Sequence, residues 1–160
     1  MSRTARTKAP LAVYLLDIDH FKQVNDNFGH AAGDQVLIEV ARRLKEQCRN
    51  YDVTGRYGGE EFVVIAPGPK RNEMEIIGER IRESVSSATV HAEGSNLNVT
   101  VSVGGIWIGP GASPSVDLVL KGADDLLYVA KRTGRNRVVV AGWNDPSNYV
   151  AETAHADPGI

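Results

Sequence analysis

Cysteine is nearly absent: Cys48 is the only one in 160 residues. No internal disulfide can form, and a reducing compartment, the cytoplasm, is the expected location. Long apolar runs are also missing; none approaches the roughly 20 residues that a membrane span needs. Nor is there an excess of one charge. Lys and Arg number 18 against 20 Asp and Glu, a formal net charge of −2. No global basic field therefore points to nucleic acid or to an anionic membrane. The opening stretch MSRTARTKAP is basic but has no apolar core segment, so it does not read as a signal peptide. Repeats and extended low-complexity stretches are absent too.

What remains is an ordinary globular composition, 42 % hydrophobic and 24 % charged, in a chain long enough for one domain with a real core. The expected division is a flexible arm over 1–10, a folded domain over 11–141 and a tail over 142–160. The tail has no Lys or Arg and no periodicity, and is expected to be mostly disordered.

Taken in order, Leu11-Ala12-Val13-Tyr14-Leu15-Leu16 reads as a strand buried on both faces. Asp17-Ile18-Asp19 places two acids at its C-terminal end, where open sheets tend to bind ligands. His20 to Gly33 reads as a loop or short helix docked on the core through Phe21, Val24 and Phe28. An amphipathic helix is expected from Asp34, as N-cap or first-turn acid, to about Arg49. Asp52–Tyr57 and Glu61–Ala66 read as a hairpin closed at Gly58-Gly59, where glycine supplies positive φ. A helix opens at Asn72 with Glu75 as in a capping box. Val90–Glu93 reads as a short edge strand before a Gly94-Ser95-Asn96 turn. A long strand is expected over Leu97–Ile108. The last helix spans about Ser115–Thr133 with Gly134 beyond its end, and Arg137–Ala141 closes as a strand. The pattern predicts an α/β (α+β) domain: a central mixed sheet flanked by helices, ferredoxin-like.

Asp17, Asp19, Glu60 and Glu61 form a candidate acidic cluster. If the first strand and the hairpin are neighbours, Asp17 and Glu60 share one rim and repel unless a cation lies between them. Hard oxygen ligands without His or Cys favour Mg²⁺ shared with substrate phosphates. The competing reading of Gly-Gly-Glu-Glu is a charged surface turn. Lys22 lies near where phosphates would sit, and Lys131 and Arg135 are spaced one turn apart on the last helix. Each, taken singly, also reads as a solvated surface charge. Asn25 and Asp34 could read a purine edge, an Asp accepting from the N1 and N2 donors of guanine; turn and cap chemistry competes. His30 reads by default as a loop histidine. Phe21 and Phe28 read as core anchors rather than stacking platforms. Arg49 and Asp52 have the spacing R-x-x-D, and Arg80 follows on the next helix; in isolation these are common surface charges.

Four stretches together resemble the GGDEF-domain diguanylate cyclase family, here in a GGEEF form. They are DIDHFKQVNDNFGHAAGD (Asp17 to Asp34), RYGGEEF (Arg56 to Phe62), LNVTVSVGG (Leu97 to Gly105) and ADDLLYVAKRTGRNRV (Ala123 to Val138). The resemblance covers roughly Leu11 to Val140 and implies a nucleotidyl cyclase palm-like fold. It implies that two GTP molecules, one held by each of two chains, are joined into cyclic di-GMP with release of two pyrophosphates. Asp17, the Ile18 carbonyl and Glu60 would hold Mg²⁺ (or Mn²⁺), with Glu61 in support. Glu60 would be the base for the 3′-hydroxyl and Lys22 the transition-state stabiliser. Asn25 and Asp34 would bind guanine, with Phe21 and His30 near the substrate. Gly58 and Gly59 would admit the nucleotide, and Lys131 and Arg135 would neutralise phosphate. Arg49, Asp52 and Arg80 fall where the family carries a product-inhibition site.

The family normally begins with an Asp-x-Leu-Thr segment and a helix before the first strand. Only ten residues precede Leu11 here and they do not match that segment. The chain is therefore expected to be trimmed or to lack the element, and no sensor domain is expected within it. Two other readings fit the same residues. One is a non-catalytic receptor for cyclic di-GMP or GTP; the other is a related cyclase with a hybrid product.

Overall fold

The apolar run at the start of the domain becomes β1 (Leu11–Ile18), and the rest of the sheet is built outward from it. The computed structural model describes residues 9–143, so positions 1–8 of the arm expected over 1–10 and 144–160 of the tail expected over 142–160 lie outside the described residues. After β1 come α1 (Phe21–Phe28), α2 (His30–Gln47), the hairpin β2 (Val53–Gly58) and β3 (Glu61–Pro67), and α3 (Met74–Ser86). A small hairpin, β4 (Val90–Ala92) and β5 (Ser95–Leu97), precedes β6 (Val101–Ile108), α4 (Val116–Arg132) and β7 (Val138–Gly142).

The main sheet has five strands in the order β2-β3-β1-β6-β7. β1 is antiparallel to both β3 and β6, and β6 is parallel to β7. The first four strands have the ferredoxin-like order that the pattern predicts; β7 is added through the α4 crossover, which makes the sheet mixed. β1 is buried on both faces because side chains alternate along a strand. Ala12, Tyr14, Leu16 and Ile18 join a core with α2 and α3. Val13 and Leu15 join a second core with α4. There α4 lies flush on the sheet: a Cβ at Gly104 would overlap the Ala123 carbonyl oxygen and the Leu127 nitrogen.

Several expectations are corrected. α2 begins at His30, not Asp34, because Gly29 (φ 88) takes the break between α1 and α2. Asp34 is thus one turn inside the helix, and its carboxylate is not spent on a cap. Gly58 and Gly59 are not among the positive-φ glycines. The hairpin closes instead with an extra residue, Tyr57, bulged between the Arg56–Phe62 and Gly58–Glu61 pairs. The cap before α3 is Glu73, whose Oε2 accepts from the Lys70 N–H at 2.6 Å, rather than Asn72 with Glu75. Ser95 and Asn96 lie in β5 rather than in the turn. The long strand over Leu97–Ile108 is two strands, because Thr100 leaves the ladder to bind Asp19 through its carbonyl and its hydroxyl. Phe21 is buried as an anchor and Val24 packs beside it, but Phe28 is 43 % exposed.

Candidate active site

β1 ends at the rim that the hairpin turn also reaches. The Ile18 N–H donates to the Glu60 carbonyl at 3.2 Å, so the acid that ends the strand and the first acid of the turn are close. Directly across the ladder from Asp17 is Glu61; the two carboxylates point to the same face of the sheet. α4 covers that face, and Lys131 near its end donates to Asp17 Oδ2 at 2.8 Å.

The electrostatics follow from burial. Burial raises the Asp17 carboxyl above its usual range; Lys131 pulls it back, while the Glu60 and Asp19 charges push it up again. Glu61 is raised too, first by burial and next by the Asp17 charge. An acidic pair so placed gains from any added positive charge.

On the other side of the turn lies an open cleft of about 330 Å³. It is lined by Phe21, Lys22 and Asn25 of α1, His30, Asp34 and Leu37 of α2, and Arg56, Gly59 and Glu60 of the hairpin. α1 and α2 approach closely enough to place Asn25 beside α2 because residue 33 has no side chain. A Cβ there would overlap the Asn25 carboxamide oxygen. At the far wall Arg56 Nε donates to the Gly59 carbonyl at 2.9 Å, bracing the turn that carries Glu60. An apolar groove of about 300 Å³ between α2 and β2 shares Leu37 and Arg56 with the cleft.

A cleft lined by amide, imidazole, cationic and carboxylate side chains, with an acidic rim beside it, suits a nucleotide and a divalent ion. Comparison with known proteins identifies the type. The family described as "Diguanylate cyclase, GGDEF domain" matches residues 1–137. The chain belongs to the GGDEF family of diguanylate cyclase domains. It is 39 % identical over 151 residues to Diguanylate cyclase A of Treponema denticola, covering 91 % of this chain and 39 % of that protein. It is 47 % identical over 133 residues to the response regulator PleD of Caulobacter vibrioides, covering 81 % of this chain and 29 % of that protein. The GGDEF domain therefore spans well under half the length of these relatives. It is also similar to the crystal structure of the GGDEF domain of DgcB from Caulobacter crescentus in complex with c-di-GMP. That likeness has a TM-score of 0.76 and 38 % identity, covering 82 % of this chain and 78 % of that one.

In this GGDEF domain the structure brings Phe21, Lys22, Asn25, His30, Asp34, Gly59 and Glu60 to one cleft. Asp17, Ile18, Gly58, Glu61 and Lys131 sit behind the turn rather than in the cleft lining. Arg135 is not on the last helix: α4 ends at Arg132, and Arg135 stands in the following loop at φ 62. Asp19 leaves the acidic cluster, since Ser102, Thr100 and the Asn136 N–H occupy its oxygens. Among the described residues no three His, Cys, Asp or Glu side chains are grouped to hold a metal by themselves. Arg56 and Leu37 are cleft residues that the sequence reading passed over. Arg56 opens the RYGGEEF motif and Leu37 follows Asp34 by three residues on the same helix face, so both signals were present.

Arg49 and Asp52 lie at the other end of β2, about 20 Å along the strand from the turn. Asp52 Oδ2 accepts from the Arg49 N–H at 2.8 Å, and the Arg49 guanidinium rests on Tyr51, 2.8 Å from its hydroxyl. Asp52 Oδ1 is buried without a partner. The charges of Asp52 and Arg80 both act on Cys48.

Proposed function

We propose that this domain joins two GTP molecules into cyclic di-GMP, with each of two chains holding one nucleotide. The observation that carries the reading is the cleft, whose lining brings Asn25 and Asp34 together with Lys22 and Glu60. Asp34, free of capping duty, accepts from the N1 and N2 donors of guanine, and adenine offers no matching pair. Asn25 completes the base contact, and Phe21 and His30 wall it. Gly59 leaves open space above the turn, with nothing within 4 Å of where a Cβ would stand.

The residues fit a divalent ion, Mg²⁺ or Mn²⁺, of the kind held jointly with substrate phosphates. Asp17, the Ile18 carbonyl and Glu60 would hold it, with Glu61 across the ladder from Asp17. Burial first, with neighbouring carboxylates adding to it, raises the carboxyls of Asp17 and Glu61, and a bound cation would offset the added like charge. Bound there, the ion supplies neutralisation of the triphosphate and a lowered pKa for the attacking hydroxyl.

Each 3′-oxygen forms a bond to the α-phosphorus of the other nucleotide as the bond from that phosphorus to pyrophosphate breaks. Glu60 takes the hydroxyl proton. Lys22 stabilises the charge that builds on the phosphoryl oxygens. Lys131 and Arg135 stand on the phosphate side, and Gly58 and Gly59 keep the turn low enough for the nucleotide to approach. Because one chain holds one nucleotide, turnover requires a homodimer. Arg49, Asp52 and Arg80 form a separate product-binding surface, so cyclic di-GMP there would act allosterically.

The test is product analysis of GTP with Mg²⁺ at several protein concentrations, for the wild type and Glu60→Gln. Cyclic di-GMP is expected at a rate per chain that rises with concentration while the dimer is scarce. Glu60→Gln is expected to lose it at unchanged folding. A Gln variant that turns over normally would falsify the assignment of Glu60. Cyclic di-GMP binding with no GTP consumed would favour a receptor instead.

A further inference from the structure

We infer that Asp19 is a positioning residue that docks the loop after α4 against the end of β1, and that it does not hold the metal. The inference rests on the reading of Lys131 and Arg135 as phosphate-side cations. Asp19 is only two residues beyond Asp17, and the Asp-x-Asp spacing invites a shared metal role. The geometry assigns it elsewhere. Asp19 is 6 % exposed. Its Oδ1 accepts from the Ser102 hydroxyl at 2.6 Å. Its Oδ2 accepts from the Thr100 hydroxyl at 2.6 Å and from the Asn136 N–H at 3.0 Å. Short bonds of this kind to a carboxylate are charge-assisted and strong. Three donors on two buried oxygens leave little of the carboxylate for a cation.

What Asp19 holds is unusual backbone. Arg135 (φ 62) and Asn136 (φ 45) are consecutive left-handed residues with side chains, following Gly134 at φ 136. Such a conformation persists only where the surroundings over-determine it. Here three contacts do so. Asp19 takes the Asn136 N–H, Arg82 Nη1 donates to the Asn136 side-chain oxygen at 2.8 Å, and the Arg135 N–H closes on the Ala130 carbonyl at 2.9 Å. The Asp19–Asn136 contact spans 117 residues. It ties the strand that carries Asp17 to the loop that carries Arg135, next to the last turn of α4 with Lys131. Asp19 thereby sets where both cations stand relative to the acidic rim.

Asp19→Asn and Asp19→Ala separate this role from metal binding. An Asn keeps an oxygen for Asn136 and Thr100, and its amide can donate to the Ser102 hydroxyl. The Asn variant is therefore expected to stay within about threefold of wild type in KM for GTP and in the Mg²⁺ concentration for half-maximal rate. The Ala variant is expected to raise KM for GTP about tenfold or more, with the affinity for guanosine, which lacks phosphate, unchanged. Without nucleotide, amide exchange at Asn136 in the Ala variant is expected to rise about tenfold while β1 and β6 stay protected. If the Asn variant loses activity and needs far more Mg²⁺, Asp19 is a metal residue and the inference is wrong. Unchanged exchange at Asn136 in the Ala variant also overturns it. Should the Ala variant fail to fold, Ser102→Ala and Thr100→Val each remove one donor, and both are expected to give a smaller rise in Asn136 exchange. No rise in either sinks the inference. A wild type that neither binds nor consumes GTP would end the cyclase reading alone, since the exchange measurement needs no nucleotide.

Discussion

Lys131 Nζ lies 2.8 Å from Asp17 Oδ2, across 114 residues of chain. Asp17 is 8 % exposed, with two further carboxylates acting on it. Removing the ammonium leaves a mostly buried charge without its donor. Lys131→Met is expected to cost about 1–3 kcal/mol of stability at pH 7. The loss is expected to shrink toward pH 3, where Asp17 is protonated. Urea titrations at the two pH values check both parts, and an equal loss at pH 3 would assign the effect to packing instead.

Glu61 and Asp17 bind protons more tightly in the folded chain than in the unfolded one. For Glu61 the window opens at the ordinary value of 4.5 and closes at its raised folded value. Within it the folded state carries the extra proton, so stability falls as pH rises and then stays lowered. Glu61→Gln removes this cost. It is expected to melt above wild type at pH 7 and with it at pH 3, in thermal scans without divalent metal. A variant that melts lower at pH 7 would mean that the carboxylate is stabilising.

Gly59 and Gly33 have different reasons for lacking a side chain. A methyl at Gly59 meets nothing within 4 Å, so Gly59→Ala is expected to melt within about 1 °C of wild type. It is nevertheless expected to lower kcat/KM for GTP about tenfold, because the methyl occupies the nucleotide's approach. Gly33→Ala would push on the Asn25 carboxamide, and is expected to weaken guanosine binding. Calorimetry with guanosine and steady-state rates separate the two; full activity in Gly59→Ala would remove that turn from the binding surface.

At the far end of β2, the Arg49 guanidinium stacks 5.8 Å over the Tyr51 ring and is otherwise exposed. Arg49→Ala is expected to weaken cyclic di-GMP binding about tenfold and to lengthen the linear phase of product formation. Progress curves with added product check this; identical curves would show that the brake lies elsewhere or is absent.

Much of this site was legible because chemistry and local pattern coincide. The run Leu11–Leu16 stops at Asp17, and a strand that ends in an acid places that acid on a rim. The acids of the glycine turn follow from the hairpin alone. What local pattern cannot carry is a partner a hundred residues away. Asp19 looks like a twin of Asp17 until Ser102, Thr100 and Asn136 fold around it. Arg43 stands in the amphipathic stretch of α2 with no local mark that sets it apart from Arg42. In the structure it is buried, and it donates to the carbonyls of Val85, Ala88 and Thr89 at the end of α3. Asp34 lies inside α2 rather than at its start for a local reason. Gly29 breaks the helix ahead of His30, and the weakly apolar His30-Ala31-Ala32-Gly33 stretch gives no periodic signal that α2 has already begun. Arg135 keeps helical spacing from Lys131 in sequence, but Gly134 has already ended the helix.

Gly104 carries no functional group, yet it sets the height of α4 above the sheet. Lys131 lies four residues, about 6 Å along the helix, beyond Leu127, whose backbone rests on that glycine. Any bulkier residue there would tilt the helix and carry its ammonium off the rim. Such a lesion, deep in the interior, would present in an assay as damage to the reaction centre.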